Sequence, residues 1–98
     1  GKAVLAFAAA PRLLNHAGAL HAGVQCAALD TAAGYAAATL AGTVVTLSMT
    51  TQFLSSAKGA QFRVEAEVVR AGKSQLFVEA RLSGVDTDPG KLVATSSA

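Results

Sequence analysis

Between Leu13 and Ala57 the chain runs for 45 residues with Asp30 as its only formally charged side chain, and every Lys, Arg and Glu lies outside that window. So uncharged a stretch belongs either inside a folded core or inside a bilayer. Its alanines contribute little insertion energy, several Gly and Thr interrupt it, and a carboxylate near its centre would be expensive in lipid. The window therefore reads as the core of a globular domain. With 98 residues there is room for one domain, spanning 1–98, and two-domain enzymes are excluded. Twenty-three of the residues are Ala and none is Ile or Trp, so the core is thin. Burial against a second copy would help offset the chain entropy, and an oligomer is expected.

The window divides by its period. Val24 to about Leu40 is rich in Ala, free of Pro and interrupted only by Gly34, which predicts one helix whose small side chains let other backbone approach closely on several sides. After Gly42 the period becomes two. Val45, Leu47, Met49, Thr51 and Phe53 alternate with Val44, Thr46, Ser48, Thr50 and Gln52, which predicts a half-buried strand. The same pattern places Phe62, Val64, Ala66 and Val68 on one face of the next strand, and Leu76, Val78, Ala80 and Leu82 on one face of a third. Ala71-Gly72-Lys73 is short enough for a hairpin turn, so those two strands are antiparallel. Lys2–Ala9 and Lys91–Ser97 complete the set, with Pro11 ending the first and Asp88-Pro89-Gly90 turning into the last. The order is strand, loop, long helix, four strands, an α+β domain.

Other function classes fall away on charge and cysteine count. The net charge of +2 comes from basic residues scattered singly, which argues against nucleic acid as a partner. The single Cys26 permits no internal disulfide and favours a reducing, cytoplasmic compartment. No basic stretch followed by a long apolar run marks a signal peptide. His16 and His21 have no further His or Cys to complete a metal site, so no metal is expected. Cys26 with His21 has no spacing that places thiol beside imidazole, and it reads as structural.

Chemistry is concentrated before and within the helix. The loop from Pro11 to Gly23 leads into it, so the backbone N–H groups of Ala22 and Gly23 would stand free at its N-terminus as donors to an oxyanion. Asp30 lies seven residues beyond Gly23, about 10 Å along the axis, so one helix cannot bring both to a single carbonyl. Two helices lying antiparallel across a dimer interface can, each supplying one half. The residues three and four positions from Asp30, namely Cys26, Ala27, Ala33 and Gly34, are small or apolar, which favours a functional carboxylate over a solvated one. Phe53, Phe62 and Phe77 fall at strand spacing and read as core or interface side chains, with Tyr35 ambiguous.

The ordered pattern Asn15-x5-His21-x-Gly23-x6-Asp30-x3-Gly34, followed by Val45-Thr46-Leu47, Phe53-Leu54 and Arg70-Ala71-Gly72-Lys73-Ser74, resembles the hotdog-fold thioesterases of the phenylacetic-acid-degradation type over about Asn15 to Thr95. The resemblance implies a hotdog fold, in which one long central helix is wrapped by an antiparallel sheet of about five strands. It also implies a homodimer joined edge to edge, and dimers that pair into a homotetramer. The implied activity is that of a hydrolase cleaving an aryl- or medium-chain acyl-coenzyme A thioester, with coenzyme A part of the substrate and no separate cofactor. Asp30 matches the acidic residue that activates water or attacks the carbonyl, and the Ala22 amide, with Gly23, matches the polarising donor. Asn15 matches a position that holds the thioester or the loop, and Thr46 falls near a hydroxyl that orients the water. His21 has a positional role at the substrate-binding loop. Arg70, Gly72 and Lys73 either meet the coenzyme A phosphates or are ordinary solvated turn residues. The pattern departs from the family at His21-Ala22-Gly23, where His-Gly-Gly is usual, and family members usually continue beyond both ends of this chain, so terminal extensions are expected.

Two other readings use the same residues. A hotdog dehydratase or hydratase would need His21 close to Asp30, and a non-catalytic acyl-coenzyme A-binding module would bind without turnover.

Overall fold

Alternation builds the sheet. Strand β1 (Lys2–Ala8) is followed by a 3-10 turn at Pro11–Leu13 and helix α1 (Ala22–Ala41). Then come β2 (Thr50–Phe53), β3 (Gln61–Ala71), β4 (Leu76–Gly84) and β5 (Leu92–Ser97). The computed structural model describes residues 1–98 except 16–17, 43, 47, 55–60, 73–74, 85–91 and 98. All pairings are antiparallel, in the order β1-β3-β4-β5-β2. The expected turn at Asp88-Pro89-Gly90 lies outside the described residues.

Register brings like faces together. Phe62, Val64 and Ala66 of β3 are buried and stand opposite Gly84, Leu82 and Ala80 of β4, which are buried too. On the other side the same three residues face Phe7, Leu5 and Ala3 of β1. The Phe7 and Phe62 rings stack with centroids 5.6 Å apart. The outer face carries the charges: Lys2 pairs with Glu67, and Arg63 and Arg81 both pair with Glu65, all on exposed side chains worth little individually. Phe77, also on this outer register of β4, is 44% exposed, so of the three strand phenylalanines expected in core or interface only Phe62 is in this chain's core.

Helix α1 lies across β3, β4 and β1. Gln25, Leu29, Ala32, Ala33, Ala36 and Ala37 are buried, a stripe at helical spacing. Four of the six are alanines, so the helix backbone seats close to the sheet. This is the hotdog arrangement that the resemblance implied. The sheet covers one side of the helix, whereas the outer side, with Ala27, Thr31, Tyr35 and Ala38, is exposed; among the described residues close approach on several sides does not occur within one chain. The helix stops at Gly42, whose φ of 74° suits glycine and whose N–H donates to the Ala38 carbonyl at 3.0 Å.

The strand expected from Val44 to Phe53 is shorter than its alternation predicts. Its ladder with β5 begins at Thr50↔Ser97, and Val45 is 81% exposed. Ahead of Thr50, Thr46 bonds the Asp30 carboxylate of α1, and among the described residues the alternation there has no strand partner to express it.

The seating of the helix can be tested at Ala36, which is fully buried. Ala36→Leu should lower stability by about 1–3 kcal/mol in urea titration, because the added carbons must push helix and sheet apart. A change below about 0.5 kcal/mol would show that the contact has slack.

Candidate active site

Asp30 occupies the flank of α1, between the stripe that meets the sheet and the exposed face, and is half-buried. The chain leaving the helix at Gly42 returns along this flank. There the Thr46 hydroxyl donates to Asp30 Oδ1 at 2.6 Å, a short bond of the charge-assisted kind. One turn earlier, the half-buried Cys26 reaches the hydroxyl of Thr51 at the start of β2, with Sγ and Oγ1 3.8 Å apart. Among the described residues no cation pairs with Asp30. The carboxylate thus has one oxygen held by a hydroxyl and no competing positive charge, an arrangement suited to accepting a proton from water or to attacking an electrophile.

The loop before the helix is closed on itself by Asn15. Its side-chain Oδ1 accepts from the Ala19 N–H at 3.1 Å, its own N–H donates to the Ala19 carbonyl at 2.7 Å, and its carbonyl accepts from Gly18 at 3.1 Å. Gly18 turns with φ 78°, a conformation that suits glycine.

His21 is the N-cap of α1, and its ring Nδ1 accepts from the Gly23 N–H at 2.9 Å. This corrects the expectation that both Ala22 and Gly23 N–H groups stand free: the cap takes up Gly23. The Ala22 N–H has no acceptor among the described residues. An imidazole cap is outside the usual set of Ser, Thr, Asp and Asn, which is why composition places the helix start two residues late. Because Nδ1 accepts, the ring proton sits on Nε2. His21 lies nine residues from Asp30, about 13 Å along the axis, so within one chain the two do not share a reacting atom.

Arg70 and Gly72 lie at the turn from β3 to β4, both exposed, where the Gly72 N–H donates to the Gln75 carbonyl at 2.8 Å. A Cβ on Gly72 would come within 3.0 Å of that same carbonyl oxygen, so the close approach asks for glycine. Val68 of β3 donates to the Gly1 carbonyl, and the Gly1 amino group donates to the Thr39 hydroxyl, so this part of β3 lies by the C-terminal end of α1. Lys73 and His16 lie outside the described residues. Among the described residues no three His, Cys, Asp or Glu side chains are grouped to hold a metal, and no helix is long and apolar enough to cross a membrane.

One polar residue near the site escapes a reading based on ionisable groups. Gln25 is buried, and its Nε2 donates to the Leu20 carbonyl at 3.1 Å. Its signal in the sequence is an amide placed four residues before Leu29, on the stripe that is otherwise apolar.

The fold that carries these groups, a long helix against a five-stranded antiparallel sheet, is matched by comparison. Residues 17–90 match the family model of the thioesterase superfamily, and the chain belongs to that superfamily. Among solved structures it resembles a thioesterase family protein of Silicibacter pomeroyi, with a TM-score of 0.90 and 29% identity over 100% of this chain and 74% of that one. A conserved protein of Pseudomonas aeruginosa gives 0.89 and 28%, covering 98% and 76%. A phenylacetic acid degradation-related protein of Ralstonia eutropha gives 0.89 and 27%, covering 99% and 73%. No curated protein sequence matches.

The loop closure predicts a local effect. Asn15→Ala leaves the N–H of Ala19, a buried residue, without its acceptor. It should cost about 1–3 kcal/mol in urea titration and speed hydrogen exchange at Ala19.

Proposed function

We propose that this protein is an acyl-coenzyme A thioesterase that hydrolyses an aryl- or medium-chain acyl thioester to the free acid and coenzyme A. The observation that carries this reading is the Asp30–Thr46 pair, a carboxylate alone in a long uncharged segment and held by a hydroxyl at 2.6 Å. Membership of the thioesterase superfamily supports it.

In the proposed reaction Asp30 takes a proton from water as the water oxygen bonds to the thioester carbonyl, or attacks that carbon itself to give an anhydride that water then opens. The oxyanion accepts from the Ala22 N–H at the positive end of the helix dipole. Collapse of the tetrahedral intermediate breaks the C–S bond, and the thiolate leaves without needing a strong acid. A lone carboxylate is therefore enough chemistry for this leaving group. Ala22 is eight residues from Asp30, about 12 Å along the axis, so the two halves are supplied by antiparallel helices of a homodimer, which pairs further into a homotetramer. Arg70 and Lys73, at their turn, would meet the coenzyme A phosphates. A hydratase-type reaction would need the His21 imidazole at the same carbonyl as Asp30, and its cap bond to Gly23 speaks against that.

Two variants separate the parts. Asp30→Ala should lower kcat/KM by about 10²–10⁴-fold with fold and oligomer unchanged, measured by free-thiol release from a panel of aryl and medium-chain acyl-coenzyme A thioesters. Ala22→Pro removes one N–H at the first helical position, where proline is well tolerated, and should lower kcat by about 10²–10³-fold with the helix intact. Coenzyme A binding without turnover in the wild type would instead mark a binding module.

A further inference from the structure

We infer that Gln25 is a positioning residue that fixes the direction of the Ala22 N–H. Its catalytic consequence rests on the thioesterase reading; its structural consequence does not. Of the two peptides leading into α1, the first is held from both sides and the second at its carbonyl. The Leu20 carbonyl accepts from Gln25 Nε2 at 3.1 Å, and the N–H of that same peptide, belonging to His21, donates to the Leu13 carbonyl at 3.0 Å. The His21 carbonyl accepts from the Gln25 backbone N–H at 3.1 Å, and the His21 ring accepts from Gly23 at 2.9 Å. Gln25 therefore grips both carbonyls that flank the His21 Cα, one with its side chain and one with its main chain. Ala22 N–H, between these clamped groups, is the donor left over.

The side chain is poorly explained by stability alone. Gln25 is 5% exposed on a stripe otherwise made of Leu and Ala, and its Oε1 is buried with no donor among the described residues. A hydrocarbon of the same length would avoid burying that oxygen. What only the amide supplies is a donor at the Leu20 carbonyl. With only its N–H bond to Leu13 left, that peptide plane could tilt and carry the next N–H away from a developing oxyanion, and small misplacements of such donors are costly in rate.

The test is Gln25→Met, with Gln25→Leu as a second variant should Met fail to fold, on the intact chain in its native oligomer. Positioning predicts a fall in kcat of about 10- to 100-fold with KM within about twofold of the wild type. It also predicts that amide hydrogen exchange at His21 speeds up about tenfold or more while Ala32 and Ala36 keep their protection. A merely structural role would lower the melting temperature and the protection of all three together, and would overturn the inference. So would unchanged exchange at His21 in the variant, or a variant kcat equal to that of a wild type that turns over. If the wild type releases no thiol from any thioester of the panel, the thioesterase reading fails, and the exchange at His21 alone decides the positioning claim.

Discussion

The structure depends on how closely α1 seats on its sheet. Ala32, Ala33, Ala36 and Ala37 present only methyl groups, so the helix backbone meets the faces of β3 and β4 with little between them, and Leu29, Phe62, Val64 and Leu82 fill the rest of the core. A seat this shallow buries little per residue, about 0.8 kcal/mol for a methyl group against about 1.5–3 kcal/mol for a Leu or Phe. Its effect is geometric. It places the helix flank, with Cys26 and Asp30, against the segment that returns through Thr46 and Thr51. The outer side, with Tyr35 and Leu40 more than half exposed, stays open.

That geometry isolates one carboxylate and one amide at different levels of the same helix. Asp30 is tied to Thr46, and the N-terminus is tied by Asn15, His21 and Gln25 into a frame whose remaining donor is Ala22. The methyl of Ala22, where the family usually has glycine, leaves the N–H in place. In the proposed mechanism the rigidity of this frame stands in for the freedom that glycine would allow, since a donor aimed in advance needs no reorganisation at the moment of reaction.

Much of the fold was legible because its strands have two different faces. Phe62, Val64 and Ala66, and Val78, Ala80 and Leu82, alternate with polar or charged neighbours, and the structure buries each set on one side of the sheet. The segment from Val44 to Phe53 shows the limit: its alternation is as regular, yet among the described residues only Thr50–Phe53 pairs. The helix body followed from its alanines, but its first residue did not, because an imidazole cap carries no composition signal. No spacing rule joins Asp30 to Thr46, sixteen residues apart across a helix end; the family resemblance pointed there, and the structure supplies the hydrogen bond. Gly23 was misread for a plain reason: a helix N-terminus has free N–H groups only until its own cap takes one.

The central claim is that one catalytic unit draws its carboxylate and its oxyanion donor from two chains, and subunit complementation tests it most directly. Asp30→Ala and Ala22→Pro proteins, each inactive alone, are mixed in equal amounts, allowed to exchange subunits, and assayed for thiol release. Sites shared between chains predict recovery of about one quarter of the wild-type rate, since half of the dimers are mixed and each mixed dimer holds one intact site. No recovery, with exchange verified by a mass tag on one variant, would contradict the account.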